Sequence, residues 1–325
     1  MLIDSFNRAH DYLRISLTDN CNFRCLYCMP DEKIQLMPGH NLMQSDEIFE
    51  IAKIFVSVGV KKIRLTGGEP LVRKDFAEII KTLSLLPVKL ALTTNGLLLD
   101  RYLDNLVFAG IQSVNISIDS LQRDRFQKIT QRDELEKVLK NISLCMDNGI
   151  YVKLNVVLMN GFNEDEVFDF IQFTKNQPVH LRFIEFLPFH KNQWEKDKVV
   201  DNQTILTKIA EEYPLFKLPD QKNATGKKFG ILGHSGTVSF ISTLTDSFCA
   251  TCNRMRLTAD GKMKNCLFGV EEFDVLGAFR RGENIVPLIE TAVLKKHQKL
   301  GGQFEDYKKL RPELLENRSM IKIGG

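Results

Sequence analysis

Between Leu13 and Phe186 the hydrophobic pattern switches repeatedly between two periods. Short apolar or alternating runs at Leu13–Leu17, Lys62–Leu65, Lys89–Leu92, Val114–Ile118, Val152–Val157 and Leu181–Phe186 read as strands. The segments between them repeat at helical spacing. Ile48, Ile51, Ala52, Phe55 and Val58 share one face, with Ser45 as the expected N-cap and Asp46 and Glu47 in the first turn. Glu134–Asn148 puts Leu135, Val138, Leu139, Ile142 and Met146 on one side and stops at Gly149, with Cys145 as core filler. Six such strand–helix units predict an α/β chain with a parallel sheet. Periodicity alone leaves a partial barrel and a doubly wound sheet both open. Polar and glycine-rich residues follow strand two (Thr66–Pro70) and strand three (Thr93–Gly96), where parallel α/β folds keep their sites. Strand four alternates Asn115, Ser117 and Asp119 with Val114, Ile116 and Ile118, so one of its faces is polar.

From His190 to Lys228 the rhythm is lost, which places a boundary near Pro188–Gln193 and divides the chain into 1–188 and 189–325. Beyond it, Gly236–Thr245 and Met255–Thr258 read as strands, and Asp274–Phe279 and Pro287–Lys299 as helices. A length of 325 residues suits one large barrel or two domains. The formal net charge of +3 is too small to argue for nucleic acid, and none is expected as a partner, so local clusters of basic residues must carry any case for an anionic ligand. Asp4, Arg8 and Asp11 interrupt the N-terminal stretch, which is therefore no signal peptide, and no apolar run approaches membrane-spanning length. The seven cysteines fall into two groups plus Cys145, a pattern that predicts metal ligation in a reducing cytosol.

The first group is the densest chemistry in the chain. Thr18–Pro30 carries Cys21, Cys25 and Cys28 at C-x3-C-x2-C. Soft thiolates select zinc, Cu(I) or iron–sulfur clusters. No fourth cysteine or histidine follows closely, since the nearest downstream histidine is His40. Three thiolates would leave one iron of a 4Fe–4S cluster open. Buried structural cysteines and a zinc site closed by a distant ligand are the plainer alternatives. The spacing, with Tyr27 before the last cysteine, resembles the cluster loop of the radical S-adenosylmethionine (SAM) superfamily. Gly67-Gly68-Glu69-Pro70 is similar to that superfamily's SAM-binding motif. The resemblance implies a partial (βα)6 barrel of the radical SAM type. It also implies that Tyr27, Gly67, Gly68, Glu69, Ser117 and Leu187 contact SAM; the family often has methionine where Leu187 stands.

Cys249, Cys252 and Cys266 form the second group, and spacing alone leaves open a zinc site finished by His234 or His297. The run Cys249-x2-Cys252-x-Arg254-x-Arg256-Leu257, then Asp260-Gly261 and Cys266, resembles the GTP 3′,8-cyclases of molybdenum cofactor biosynthesis. So do Arg14 to Asp19, Ile63 to Thr66, Arg182 to Phe186 and the glycines Gly324 and Gly325. That resemblance implies a second 4Fe–4S cluster, on these three cysteines of a smaller α+β module, whose open iron meets the guanine. It assigns Arg64, Lys153, Arg254 and Arg256 to GTP, with Arg14, Lys62, Thr93 and Arg182 as further candidates. Independently, Lys62 with Arg64, Lys153 with Asn155, and Arg254 with Arg256 are each two apart on a strand and share a face.

The chemistry implied is radical. An electron from the Cys21, Cys25 and Cys28 cluster cleaves SAM; the deoxyadenosyl radical takes hydrogen from C3′ of GTP; C3′ then closes on C8, and an electron and a proton finish 3′,8-cyclo-7,8-dihydro-GTP. In this reading Arg254 and Arg256 also serve the reaction. An external donor supplies electrons, and the product passes to a cyclic pyranopterin monophosphate synthase. A homodimer is left open. The rivals are a radical SAM enzyme that modifies a peptide, and a non-enzymatic zinc- or cluster-bearing module.

Overall fold

The computed structural model describes residues 1–29 and 35–324; Pro30 and Gly325 of the motifs above lie outside them. The barrel strands form where the alternation placed them, at β1 Tyr12–Ser16, β2 Lys62–Thr66, β3 Lys89–Thr94, β4 Ser113–Ser117, β5 Tyr151–Leu158 and β6 His180–Glu185. Neighbours among these six are all parallel. Their crossovers include α1 Ser45–Ser57, α2 Phe76–Leu83, α3 Leu99–Phe108, α4 Arg123–Thr130, α5 Leu135–Asp147 and α6 Val167–Asn176. Helix α1 begins at Ser45, one residue earlier than an Ser45 N-cap would give. Gln44 takes the cap position, and its N–H donates to the Glu47 carboxylate at 2.7 Å. α5 ends before Gly149, whose φ of 74° lets the chain turn away.

The C-terminal part does not build a sheet of its own. A helix and strand appear where the sequence read as polar loop, α7 Asn202–Glu212 and β7 Leu215–Lys217, followed by β8 Lys227–Ile231 and β9 Thr237–Ile241. Strand β9 adds parallel to β6, while β10 Arg254–Leu257 adds parallel to β1. β11 Lys262–Lys264 and β12 Phe273–Asp274 complete a sheet of twelve strands among the described residues, ordered β12-β11-β10-β1-β2-β3-β4-β5-β6-β9-β8-β7. The sheet thus runs on past the expected boundary at Pro188–Gln193, and both edges of the six-stranded barrel are extended by strands from 189–325. α8 Val275–Arg280 and α9 Val286–Leu294 follow β12.

Strand alternation sorts the two faces. Leu13, Ile15, Ile63, Leu65, Val152, Leu154, Met255 and Leu257 are fully buried on the outer face of the sheet, packed within the main hydrophobic core. The opposite face carries Tyr12, Arg14, Lys62, Arg64, Lys153, Asn155, Arg182, Arg254 and Arg256. A smaller apolar cluster of Met159, Phe186, Leu187, Phe189, Trp194, Phe268 and Ile323 covers one end, and Tyr27, Cys249 and Cys266 pack against it. No helix among the described residues is long and apolar enough to cross a membrane.

Candidate active site

The first cysteine loop is pinned to the barrel at both of its flanks. Phe23 is buried edge-on against Phe126 at 5.7 Å, and the N–H groups of Arg24 and Leu26 donate to the carbonyls of Thr130 and Ile129. Within it, the Cys28 and Met29 N–H groups both donate to the Cys25 carbonyl, which curls the chain round the three sulfurs. The glycine motif closes over the start of this loop. Gly68 N–H donates to Thr18 O at 2.7 Å and Glu69 N–H to Asn20 O at 2.8 Å. A Cβ at Gly68 would lie 2.4 Å from Asn20 O, and one at Gly67 2.7 Å from Thr18 O. These glycines therefore serve a backbone-to-backbone contact as well as any ligand approach. The Glu69 carboxylate accepts from Leu71 N–H, Asn95 N–H and the Thr94 hydroxyl, at 2.7–3.0 Å, and burial lifts its pKa to about 7. It braces the ends of β2 and β3, with little acceptor capacity to spare.

One cavity brings most of the SAM-contact residues together. Cys21, Cys25, Cys28 and Tyr27 line it, as do Gly67, Gly68, Thr93, Ser117 and Leu187. Asn95 and Asp119, from the polar segments after strand three and along strand four, line it too. Tyr27 donates to Asp119 at 2.5 Å, and Asn95 Nδ2 lies 3.8 Å from the Cys21 sulfur. The Leu187 carbonyl accepts from Asn192 Nδ2 at 2.7 Å, which fixes where it points. Met320 and Ile321 approach the same cavity from the C-terminal segment.

Below it lies the cation row. Strand register sets Arg256, Arg14 and Arg64 side by side on β10, β1 and β2, with Arg254, Tyr12 and Lys62 one pleat away. Arg64 is only 3% exposed; it donates to the Tyr12 hydroxyl at 2.5 Å and to Leu92 O at 2.6 Å, with Thr93 Oγ1 at 3.3 Å. Arg182 donates to Asn155 Oδ1. Arg254 lies over the Phe248 ring, and its Nη2 is buried without a hydrogen-bond partner among the described residues. Arg256 donates to the carbonyl of Gly324. None of Lys62, Arg64, Lys153, Arg182, Arg254 or Arg256 meets a carboxylate within ion-pair distance among the described residues. Uncompensated buried cations are costly unless an anion joins them.

The pKa values record that crowding. Burial, then Arg182 and Lys62, pulls Lys153 down to about 8; burial, then Arg64, pulls Arg182 to about 9; burial, then Arg254, pulls Arg256 to about 10. Burial and the Arg256 charge pull Arg14 down, and burial lowers Lys62. Burial pushes the Tyr12 phenol up, but Arg64, Arg14 and Lys62 outweigh it and bring it to about 7. Tyr12 was missed in the sequence, although it stands two residues before Arg14 on the same strand face. Lys153 and Tyr12 ordinarily titrate near 10.5 and 10. Between their folded and ordinary values the unfolded chain holds more protons, so stability rises with pH in that window. The nucleotide-free protein is expected to gain a few degrees of Tm from pH 7 to pH 9, and Y12F and K153M to flatten the rise. Equal slopes for the wild type and both variants would contradict this.

The second trio sits where β9 returns towards β10. Glu185 accepts the N–H groups of Thr243 and Leu244, both at 2.6 Å, and so fixes the approach to Cys249. Cys252 N–H donates to Cys249 O, and Asn253 reaches Asp11 at 2.6 Å. Arg8, held by Asp4 at 2.6 Å, donates to the Cys249 carbonyl at 2.8 Å. Burial raises Cys266, whereas Lys296 and Arg254 overcome burial and bring Cys252 to about 7. The thiols of each trio feel one another's charge. No group of three His, Cys, Asp or Glu among the described residues converges tightly enough for a single ion. His234 is engaged with the Thr174 hydroxyl at 2.9 Å, and the His297 ring lies against Gly302. Three soft thiolates at each trio are a donor set of the kind that iron–sulfur clusters take.

Residues 15–174 match the family model described as Radical SAM superfamily, and residues 179–301 that described as Molybdenum Cofactor Synthesis C. The mitochondrial GTP 3′,8-cyclase of Arabidopsis thaliana is 45% identical over all of this chain and 84% of its own length. The chain belongs to the GTP 3′,8-cyclase family. A GTP 3′,8-cyclase of Alkaliphilus oremlandii is 41% identical over 99% of both chains. Molybdenum cofactor biosynthesis protein 1 of Drosophila melanogaster is 49% identical over 91% of this chain, which spans only 54% of that relative; other animal relatives of that name are likewise matched over about half their length. Among solved structures, Streptococcus suis SuiB bound to precursor peptide SuiA superposes with a TM-score of 0.59 over 98% of this chain and 71% of that one, at 14% identity, a likeness of fold alone. The family is one of radical SAM enzymes, which use a 4Fe–4S cluster and SAM.

Proposed function

We propose that the chain converts GTP to 3′,8-cyclo-7,8-dihydro-GTP, using one 4Fe–4S cluster on Cys21, Cys25 and Cys28 and a second on Cys249, Cys252 and Cys266. The observation that carries the reading is the row of buried and half-buried cations, with no carboxylate in ion-pair reach among the described residues, on the same sheet face as the cavity that holds the first cysteine loop. A triphosphate brings several negative charges and needs several fixed donors. Lys62, Arg64, Lys153, Arg182, Arg254 and Arg256, with Arg14 beside them, supply that many without rearrangement. When bound, the first cluster with SAM supplies a carbon radical able to take one hydrogen atom.

What the chain itself does is hold reactants. Gly67, Gly68 and Ser117 shape the SAM side of the cavity, with Thr93 between SAM and substrate. Tyr27, tied to Asp119, walls the cluster loop, and Asn95 leans on Cys21. The cations grip the phosphates at the far end, which leaves the ribose across the cavity from the SAM side. Phe186, Leu187, Phe189 and Ile321 keep water from that region, where a stray proton or hydrogen source would end the reaction early. Positioning of this kind is the largest contribution the protein can make to a radical step. The free thiols suit a reducing compartment, the cytosol in this reading. An external donor supplies electrons, and a cyclic pyranopterin monophosphate synthase takes the product.

The test is anaerobic. The full chain is loaded with iron and sulfide, reduced with dithionite and given SAM and GTP. Deoxyadenosine and the cyclised nucleotide are expected in equal amounts. Deoxyadenosine without cyclised nucleotide would sink the substrate assignment, and neither product would sink the reading altogether.

A further inference from the structure

We propose that Lys296 is a positioning residue of the second cysteine cage, hydrogen-bonded to the Cys252 sulfur so that it raises the reduction potential of the cluster held there. The proposal rests on the reading that Cys249, Cys252 and Cys266 bind a 4Fe–4S cluster. Lys296 lies just beyond α9, and it is 3% exposed. Its Nζ donates to the Arg254 carbonyl at 2.9 Å and stands 3.6 Å from Cys252 Sγ. Two other lysines of this module end differently. Lys295 reaches Glu271 at 3.3 Å and Lys264 reaches Glu272 at 3.5 Å. Lys296 turns inward instead and meets no carboxylate within ion-pair distance among the described residues. An amine buried in this way needs an anionic neighbour, and a thiolate is what the site offers.

Charge is balanced differently round the two cages. At the first, Arg24 donates to the Cys21 carbonyl, but Asp119 is joined to Tyr27 and Glu69 is bonded to the residue whose amide leans on Cys21. Around the second cage stand Lys296, Arg254 two residues after Cys252, and Arg8 on the Cys249 carbonyl. Donors and positive charge near cluster sulfurs favour the reduced state, and negative groups oppose it. The second cluster is therefore the easier one to reduce. Arg8 acts on a backbone carbonyl and Arg254 belongs to the proposed substrate site. Lys296 alone of the three brings a side-chain charge onto a sulfur, since Arg254 meets Cys252 through its backbone N–H.

The experiment is a redox titration of the loaded full chain, without SAM or GTP, followed by electron paramagnetic resonance with iron counted on each sample. A triple Cys249, Cys252, Cys266 to serine variant identifies the first-cluster signal. About four irons per wild-type chain, in place of about eight, would mean that the two-cluster reading has failed, independently of Lys296. With both clusters present, K296M is expected to lower the reduced fraction of the second cluster about tenfold at fixed poise, about 59 mV for one electron. K296Q, which keeps a donor without the charge, should fall between, and K296R should stay near wild type; the first-cluster signal should not move. Unchanged second-cluster potentials in K296M and K296Q overturn the proposal. Should both variants lose the second cluster, K296R decides: retention at the wild-type potential upholds the role, and loss overturns it, because a requirement for shape alone would then explain the site.

Discussion

Replacing Arg256 with methionine is expected to weaken GTP binding on the order of 100-fold, the loss that truncating one member of a buried charge contact brings at about 2–5 kcal/mol. The same change should raise the stability of the nucleotide-free protein. Arg256 is 6% exposed, stands between Arg14 and Lys264 in the strand register, and has no carboxylate within ion-pair distance among the described residues. Its guanidinium donates to the Gly324 carbonyl. Before the nucleotide arrives it is mostly a desolvated charge among like charges, and methionine fills similar volume without that cost. Calorimetric titration with GTP and a thermal melt of the same samples check both halves. An R256M protein that binds GTP normally, or that melts lower than wild type without nucleotide, would contradict the role given to this row.

Serine at Cys249, Cys252 and Cys266 together is expected to remove about half of the bound iron, abolish cyclised product, and spare the first cluster. The reason is that the trios belong to separate parts of the chain. The first is held by Phe23, Thr130 and the glycine motif; the second by Glu185, Arg8 and Asp11. They meet at the apolar cluster against which Tyr27, Cys249 and Cys266 pack. Iron analysis and product chromatography read the result. Cyclisation at the native rate in the triple variant would remove the second cluster from the reaction.

The barrel was legible because its signals are local. Outward residues such as Leu13, Ile63 and Leu154 alternate with inward Tyr12, Arg64 and Lys153, and a period of two survives any tertiary context. The cysteines and glycines were legible because their spacing is a chemical constraint. The sheet's continuation was not, since nothing in Arg254–Leu257 states that its partner lies at Tyr12–Ile15, and a strand's neighbour is set by the whole fold. Helix α7 escaped because its periodicity is weak between polar flanks, although Asp201 caps it through the N–H groups of Gln203 and Thr204. The gripping groups Lys296, Arg8 and Asp119 act across long sequence separations, which spacing cannot report.

The parallel seam of β1 and β10 has a bearing on how the protein is made. The first cage lies within eight residues, and the contacts that pin its flanks reach as far as Thr130, so it can take shape while synthesis continues. The second depends on Arg254–Leu257 zipping onto Tyr12–Ile15, a closure across most of the polypeptide and a slow, late event in folding. Iron delivery should therefore be sequential, and conditions that interrupt maturation should yield molecules charged at one end only.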